Sequence, residues 1–478
     1  MLQVRIRNVE SILFLRLKSI LLACPFFDMP QQSSLNKLKE RVVKGGAVVI
    51  FGHFGSQGIR LVSNLIMARL LVPEAFGVMA VAQVIFMGLS LLSDVGIQQN
   101  IIQSRRGNDS IFLNTAWTLN IIRGWIIWFL GLVVALSVYW LTVHEVFSVS
   151  SAYGDPVLPY VIAVLSFSAV IHGLDSTKIA TANRNLAMTR LIAINLSSQM
   201  VGFLVMIFWV MFEKSIWALV AGSLSSSFSR CLLSHYFLPG ESNRLHWNKD
   251  TFWELFHFGK WVFVSSILGF IAANGDKLVL GGLIDAGIFG VYAIALLLVG
   301  AIQGVVSALI SKVAFPALSE VVREDPQKLK KVFYHFRLPT DIVLLSLTGF
   351  LFVSGSTIIE ILYDERYQLA GYILEIISLK LIMLRYTLVG QCYIAMGKPR
   401  TMVPVIFLRA LIMAAFLPVV FHAFGFDFTL WFVALGNLLT LPIVFYLQHK
   451  IQILDMWKEV YTLPFFMVGM LLGYIISM

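Results

Sequence analysis

The sequence predicts an all-α polytopic membrane protein. It has about twelve core transmembrane helices in two six-helix lobes, with a thirteenth, shorter span at the C-terminal end. Three observations lead there. The composition is 58% hydrophobic and only 13% charged, where soluble domains carry about 25% charged residues. Apolar runs near the ~20 residues a spanning helix needs recur along nearly the whole chain. Lys and Arg alternate from loop to loop in the way that fixes membrane orientation. Strand-like alternation is absent, which excludes a β-barrel. Cys24, Cys231 and Cys392 are scattered and odd in number, so they offer neither a disulfide framework nor a metal spacing. The net charge of +10 does not call for nucleic acid, because basic inner loops produce it in a membrane protein.

Residues 1–43 hold Arg5, Arg7, Arg16, Lys18, Lys37, Lys39 and Arg41. Their apolar pieces, Ile12–Leu15 and Ile20–Phe27, are separated by Arg16 and Lys18 and are too short to span. Two readings stand: an amphipathic helix on the inner leaflet, or an extension ahead of a start at Met29. Spans follow at 45–71, 74–97, 114–142, 157–181, 187–212, 215–237, 256–283, 286–311, 338–362, 369–396, 402–424 and 428–448, with a last apolar run at 461–478. The predicted organisation is a basic cytoplasmic segment (1–43), a first lobe (44–240), a second lobe (241–450) and an extra C-terminal span (451–478).

With the N-terminus inside, the inner loops collect Arg105, Arg106, Lys178, Arg184, Arg190, Arg230, Arg244, Lys249 and Lys260. They also collect Lys312, Arg323, Lys328, Lys330, Lys331, Arg337, Lys398, Arg400, Lys450 and Lys458. The outer loops hold only Lys214 and Arg366. One missed helix would scramble this asymmetry, so it supports both the orientation and the helix count.

The first span carries Arg60 near its middle, where a guanidinium costs roughly 2.5–3.5 kcal/mol on insertion scales. His53, Gln57, Arg60 and Asn64 are spaced i, i+4, i+7, i+11 and share one helix face. Such a stripe turns towards a cavity or another helix rather than lipid. The other reading of Arg60 is an internal salt bridge, with Asp94 as the partner in view.

A repeat supports a central cavity. At an offset of 213 residues, Leu65, Leu70, Phe76, Gly77, Val78, Ala80 and Ala82 match Leu278, Leu283, Phe289, Gly290, Val291, Ala293 and Ala295. The halves have six spans each, so they share one topology about an axis along the membrane normal. The second copy carries its own polar cluster, Asn274-Gly275-Asp276-Lys277, with Asn64 aligned to Lys277 and Ser63 to Asp276. The candidate cavity residues are therefore His53, Gln57, Arg60, Asn64, Asn274, Asp276 and Lys277. Lys277 has the competing readings of pairing with Asp276 or snorkelling outward.

The remaining charges read differently. Arg69 lies half a turn out of phase with Arg60, near the outer end. Arg123 and Arg409 sit close to inner helix ends and read as anchors or gating charges. Asp94 and Asp175, also near inner ends, read as caps or gating pairs. Glu375, Lys380 and Arg385 share the tenth span without forming one face. Gln303, Ser307 and Ser311 recur every four residues on the eighth. Gly300-x-x-x-Gly304 and Gly469-x-x-x-Gly473 allow close helix approach.

With these residues laid out, the chain resembles the polysaccharide transporters of the multidrug, oligosaccharidyl-lipid and polysaccharide exporter superfamily, in particular bacterial O-antigen and exopolysaccharide flippases. The resemblance rests on Ala68-Arg69-Leu70-Leu71-x-Pro73-Glu74-x-Phe76-Gly77 and Asp94-x-Gly96. It also rests on Asp276-Lys277-Leu278-Val279-Leu280-Gly281, Phe289-Gly290-x-Tyr292-x-x-Ala295, Pro316-Ala317-Leu318-Ser319 and Gly397-Lys398-Pro399. It implies two six-helix lobes around a central cavity in the bacterial inner membrane. It implies export of an undecaprenyl-diphosphate-linked oligosaccharide for lipopolysaccharide or exopolysaccharide synthesis by alternating access. A cavity with Arg60 and Lys277 suits the diphosphate. Asp276 beside Lys277 departs from a purely cationic cavity and either tunes the lysine or binds a coupling ion.

No catalytic constellation, metal spacing or phosphate-cradling loop ending in Lys-Ser/Thr is present, so no cofactor, metal or internal ATPase is expected. Transport must then draw on a proton or sodium gradient, the membrane potential or the substrate gradient. The expected partners are the lipid-linked oligosaccharide, membrane lipid and envelope polysaccharide assembly proteins, and not nucleic acid. A drug antiporter of the same superfamily would favour an acidic or apolar cavity. A glycan polymerase or ligase would need a large outer loop with Arg and His, whereas 143–156 offers His144, Glu145 and Asp155 but no arginine. A non-transporting envelope scaffold is the remaining alternative.

Overall fold

The structure, a computed structural model, describes residues 33–92, 97–104, 106–185 and 187–478. Side chains are described from residue 51 onward, except at 92–96, 99, 103, 105, 186 and 256–265. The chain divides into a unit of residues 1–45 and a unit of residues 46–478. Within the first, residues 33–45 are helical. The amphipathic-helix and Met29 readings lie outside the described residues, as does Asp94.

Among the described residues every element is helical, apart from an isolated bridge between Ser151 and Asp285. In order they are α1 (Ser33–Leu70), α2 (Pro73–Leu92), α3 (Ile97–Gln103), α4 (Ser110–Val143), α5 (Leu158–Ser166), α6 (Ser168–Gly173), α7 (Lys178–Arg184), α8 (Met188–Phe212) and α9 (Trp217–Tyr236). Then come α10 (Lys249–Leu283), α11 (Ala286–Leu309), α12 (Phe315–Glu324), α13 (Leu329–Leu362), α14 (Gln368–Ser378), α15 (Thr387–Ala395), α16 (Val403–Leu411), α17 (Leu417–Leu435), α18 (Leu441–Lys450), α19 (Met456–Tyr461) and α20 (Pro464–Ser477). Each expected span falls mainly on helix among the described residues, with a break at 174–177 inside the expected span 157–181. Among the described residues seven helices are long and apolar enough to cross a membrane, and the bent stretch α5–α7 makes an eighth. Outside that set are α3, α14 and α15, and also α1, α9 and α10, which carry polar residues described below.

Local chemistry sets the boundaries. Asp109, Asn248 and Asp285 cap α4, α10 and α11 by accepting from Ile111, Thr251 and Gly287 backbone N–H groups at 3.1, 3.0 and 2.8 Å. Pro73 opens α2, where its missing N–H costs no intrahelical bond. Gly425, at φ +79°, breaks α17 between the predicted eleventh and twelfth spans, in a backbone region that disfavours side-chain-bearing residues.

Helices α2 and α11 cross with their backbones in contact. A Cβ on Gly77 would collide with the Ala286 carbonyl oxygen, and one on Gly290 with the Pro73 carbonyl oxygen. The 213-residue offset pairs Gly77 with Gly290 and Pro73 with Ala286. The contact is thus reciprocal, as a two-fold relation requires. Beside it, Arg366 donates to the carbonyls of Ala68, Arg69 and Leu71 at 3.1, 3.3 and 3.2 Å, closing the C-terminal end of α1. Arg69 donates to the Leu362 carbonyl at 3.4 Å. The Arg366 guanidinium, hydrogen-bonded to Asp364, holds that carboxyl below its ordinary range.

Two assignments of charge are corrected. Arg337, expected in an inner loop, lies inside α13 and is 0% exposed. It pairs with Asp341 at 3.3 Å and with Glu459 of α19. Arg385 reaches the same Asp341 at 2.6 Å and the Glu459 carbonyl at 3.1 Å. Two buried guanidinium groups thus meet two carboxylates, with Tyr334 and Tyr386 donating to Glu459. The tenth span is also not one regular helix. Leu379–Tyr386 winds as a 3₁₀ segment, whose three-residue turn re-phases the side chains. Glu375 accepts from the Ser356 backbone N–H, while Lys380 and Arg385 each reach a separate carboxylate.

Candidate functional site

A cavity of about 820 Å³ is walled by α1, α2, α8, α9, α10 and α11. Three helices present polar faces to it with helical spacing. From α1 come His53, Ser56, Gln57, Arg60, Ser63 and Asn64. From α8 come Asn195, Ser198 and Gln199, followed by Gly202. From α9 come Ser223, Ser226, Ser227 and Arg230. The α8 and α9 sets both repeat i, i+3, i+4, i+7, which aligns them along one stripe of each helix. The two helices pack closely because both carry glycine at the crossing, where a Cβ on Gly202 would lie 2.6 Å from the Gly222 carbonyl oxygen.

Six of the seven predicted cavity residues line this space: His53, Gln57, Arg60, Asn64, Asn274 and Lys277. Arg60 is exposed on the cavity wall, and its guanidinium has no ion-pair or hydrogen-bond partner among the described residues. Asn64 donates to the Arg60 carbonyl at 2.8 Å, and Gln57 lies 3.5 Å from the His53 ring. The Lys277 ammonium donates to Asn274 Oδ1 at 3.0 Å rather than to Asp276. Asn64 and Lys277, matched by the repeat, both face the cavity.

Asp276, the seventh, lies behind the wall and is 2% exposed. Its Oδ2 accepts from Lys380 Nζ at 2.9 Å and from the Tyr292 hydroxyl at 2.8 Å, and its Oδ1 accepts from the Lys277 backbone N–H at 3.0 Å. Lys380 comes from the 3₁₀ segment, 104 residues away in sequence. The carboxylate is saturated by groups of its own chain.

The lining residues include three cations, Arg60, Arg230 and Lys277, and no aspartate or glutamate. Arg230, counted on the inner side within the predicted span 215–237, stands inside α9. The residues that the sequence reading overlooked are on α8 and α9. Their signal was present in the run Ser223-Leu-Ser-Ser-Ser-Phe-Ser-Arg230, whose hydroxyls recur at helical spacing.

His172 and Arg230 also border a second chamber of about 280 Å³, shared with Gln98, Asn120, Arg123 and Asp175. Two of the predicted gating charges, Arg123 and Asp175, meet there. Asp175 Oδ2 lies 3.5 Å from His172 Nδ1 and 3.7 Å from Arg230 Nε, and its Oδ1 is buried without a hydrogen-bond partner. Arg123 also donates to the Ser90 carbonyl at 2.8 Å. Arg409, on α16, borders neither space, and its Nε is buried without a partner.

Many membrane-length helices around a polar internal cavity define a multi-pass transporter fold, and solved structures share it. The lipid II flippase MurJ in an inward closed conformation superposes with a TM-score of 0.62, at 13% identity over 91% of this chain and 92% of that one. An inward-facing multidrug-resistance MATE family transporter of the MOP superfamily gives 0.60, at 15% identity over 90% and 94%. A family model described as polysaccharide biosynthesis protein matches residues 66–371, and the chain belongs to that family. It is 26% identical to the lipopolysaccharide biosynthesis protein WzxC of Escherichia coli, over 69% of this chain and 65% of the relative's length. It is 22% identical to a putative O-antigen transporter of Shigella flexneri, over 69% and 79%.

Proposed function

We propose that the protein flips a polyprenyl-diphosphate-linked oligosaccharide across the bacterial inner membrane for surface polysaccharide synthesis. Lobes 44–240 and 241–450 alternate in opening the central cavity, and the N-terminus is cytoplasmic. The observation that carries this reading is the charge of the cavity lining: three cations, no carboxylate, and otherwise hydroxyl, amide and apolar groups. A diphosphate is an anion that guanidinium and ammonium groups bind through charge-assisted hydrogen bonds. Sugars need neutral donors and acceptors, and the hydrocarbon interior provides neither. The names of the two curated relatives, a lipopolysaccharide biosynthesis protein and an O-antigen transporter, agree with this. A cavity for cationic drugs would carry acidic groups, and among the described residues the two carboxylates beside the lining, Asp276 and Asp175, face Lys380 and the His172–Arg230 pair respectively.

The test is Arg60→Ala in a host lacking the chromosomal gene. Export of the lipid-linked glycan is lost while the protein stays in the membrane, and Arg60→Lys keeps part of the activity. Normal export by Arg60→Ala removes Arg60 from the binding role.

A further inference from the structure

We infer that the stripe formed by α8 and α9 is the glycan subsite of the cavity, and that Asn195, Ser223 and Ser226 select which oligosaccharide is carried. This rests on the flippase reading above. The cavity is chemically divided. Arg60 and Lys277 stand on α1 and α10, whereas the α8 and α9 stripes carry no formal charge until Arg230 at their end. The uncharged part of the α9 stripe starts at Ser223 and reaches Arg230 seven residues on, about 10 Å along the helix. That length fits a short oligosaccharide better than a single sugar.

Half of the uncharged polar side chains of the stripe are unspent. The side chains of Asn195, Ser223 and Ser226 make no hydrogen bond to another described residue. Ser227 shares a 3.3 Å contact with His172, and Gln199 is engaged with Ser56 at 2.6 Å. Ser198 is excluded, because its hydroxyl returns to the Ile194 carbonyl at 2.7 Å. Serine and asparagine both donate and accept, as each sugar hydroxyl does. Serines in membrane helices also serve as packing groups. Here Gly202 and Gly222 meet at the α8–α9 crossing, with the Met206 side chain over Gly222 and the Ser226 Cβ over Gly202. Alanine keeps that Cβ, so Ser→Ala removes the hydroxyl and leaves the packing.

The experiment uses the full-length protein in two deletion hosts. One makes the complete lipid-linked repeat unit, and the other makes the same lipid lacking its outer sugars because a late glycosyltransferase is removed. A membrane-impermeant glycan label measures how fast each lipid reaches the outer leaflet. The wild type favours the complete unit, and N195L/S223A/S226A lowers the complete-to-truncated ratio by about tenfold or more, tenfold being the low end expected for three hydrogen bonds. Arg60→Ala lowers both lipids alike. An unchanged ratio, or a wild type with no preference, overturns the glycan subsite. If Arg60→Ala leaves both lipids untouched while the triple variant shifts the ratio, the anion reading fails and the subsite stands. If both lipids appear outside without the protein, the flippase reading fails. Should the triple variant be absent from the membrane, Ser223→Ala alone carries the same comparison, with a ratio shift of a fewfold.

Discussion

Arg60 and the Arg337–Asp341–Arg385–Glu459 cluster are two opposite uses of charge inside one membrane protein. The guanidinium of Arg60 is open to the cavity and unpaired among the described residues, which leaves it available to a ligand. Arg337 and Arg385 are enclosed and paired, and Gln448, with its amide turned to suit both neighbours, bridges Arg337 and Glu459. Removing one partner of such a set leaves an uncompensated buried charge, which costs about 3–5 kcal/mol. Glu459→Ala therefore lowers the thermal unfolding midpoint of the detergent-purified protein strongly, and a midpoint within a degree of wild type refutes the structural role. Arg60→Ala leaves the midpoint nearly unchanged. The two kinds of charge were not equally legible. Arg60 announced itself by a stripe of four residues on one helix. Glu459 is 122 residues from Arg337, and Lys380 is 104 from Asp276. No local pattern links residues so far apart.

Elements were legible where their chemistry is local. The span boundaries followed apolar length and punctuation such as Pro73 and Gly425. The 3₁₀ segment at Leu379–Tyr386 was not, because its residues fit a regular helix equally well and tertiary packing decides the winding. The glycine motifs divided in the same way. Gly469 and Gly473 do meet another backbone, at Ser346 and Phe350 of α13, whereas nothing lies within 4 Å of a Cβ at Gly300. The reciprocal Gly77–Gly290 crossing gives the sharpest prediction at this scale. Gly77→Ala and Gly290→Ala each force a methyl against a backbone carbonyl and destabilise by about 1–3 kcal/mol, read as a drop in the unfolding midpoint. Gly300→Ala is neutral or slightly stabilising. Equal midpoints for all three variants contradict the close crossing.

For the whole molecule, the sequence alone carried the all-helical membrane class and the first-helix half of the cavity. It did not carry the α8–α9 wall, because serines in an apolar helix have a packing meaning as common as a binding one. Only the placement of Asn195, Ser223 and Ser226 on a shared cavity face separates the two. The chain belongs to the polysaccharide biosynthesis family, shares its fold with the lipid II flippase MurJ, and has a cationic cavity lining among the described residues, and the proposed transport of an anionic, sugar-bearing lipid rests on these together. The most direct measurement is made in a host from which the gene is deleted, with a probe that reaches only the outer leaflet. The account predicts that the lipid-linked glycan accumulates on the inner leaflet and surface polysaccharide is lost, both restored by the wild-type gene and not by Arg60→Ala. Normal appearance of the glycan on the outer leaflet in the deletion host would contradict it.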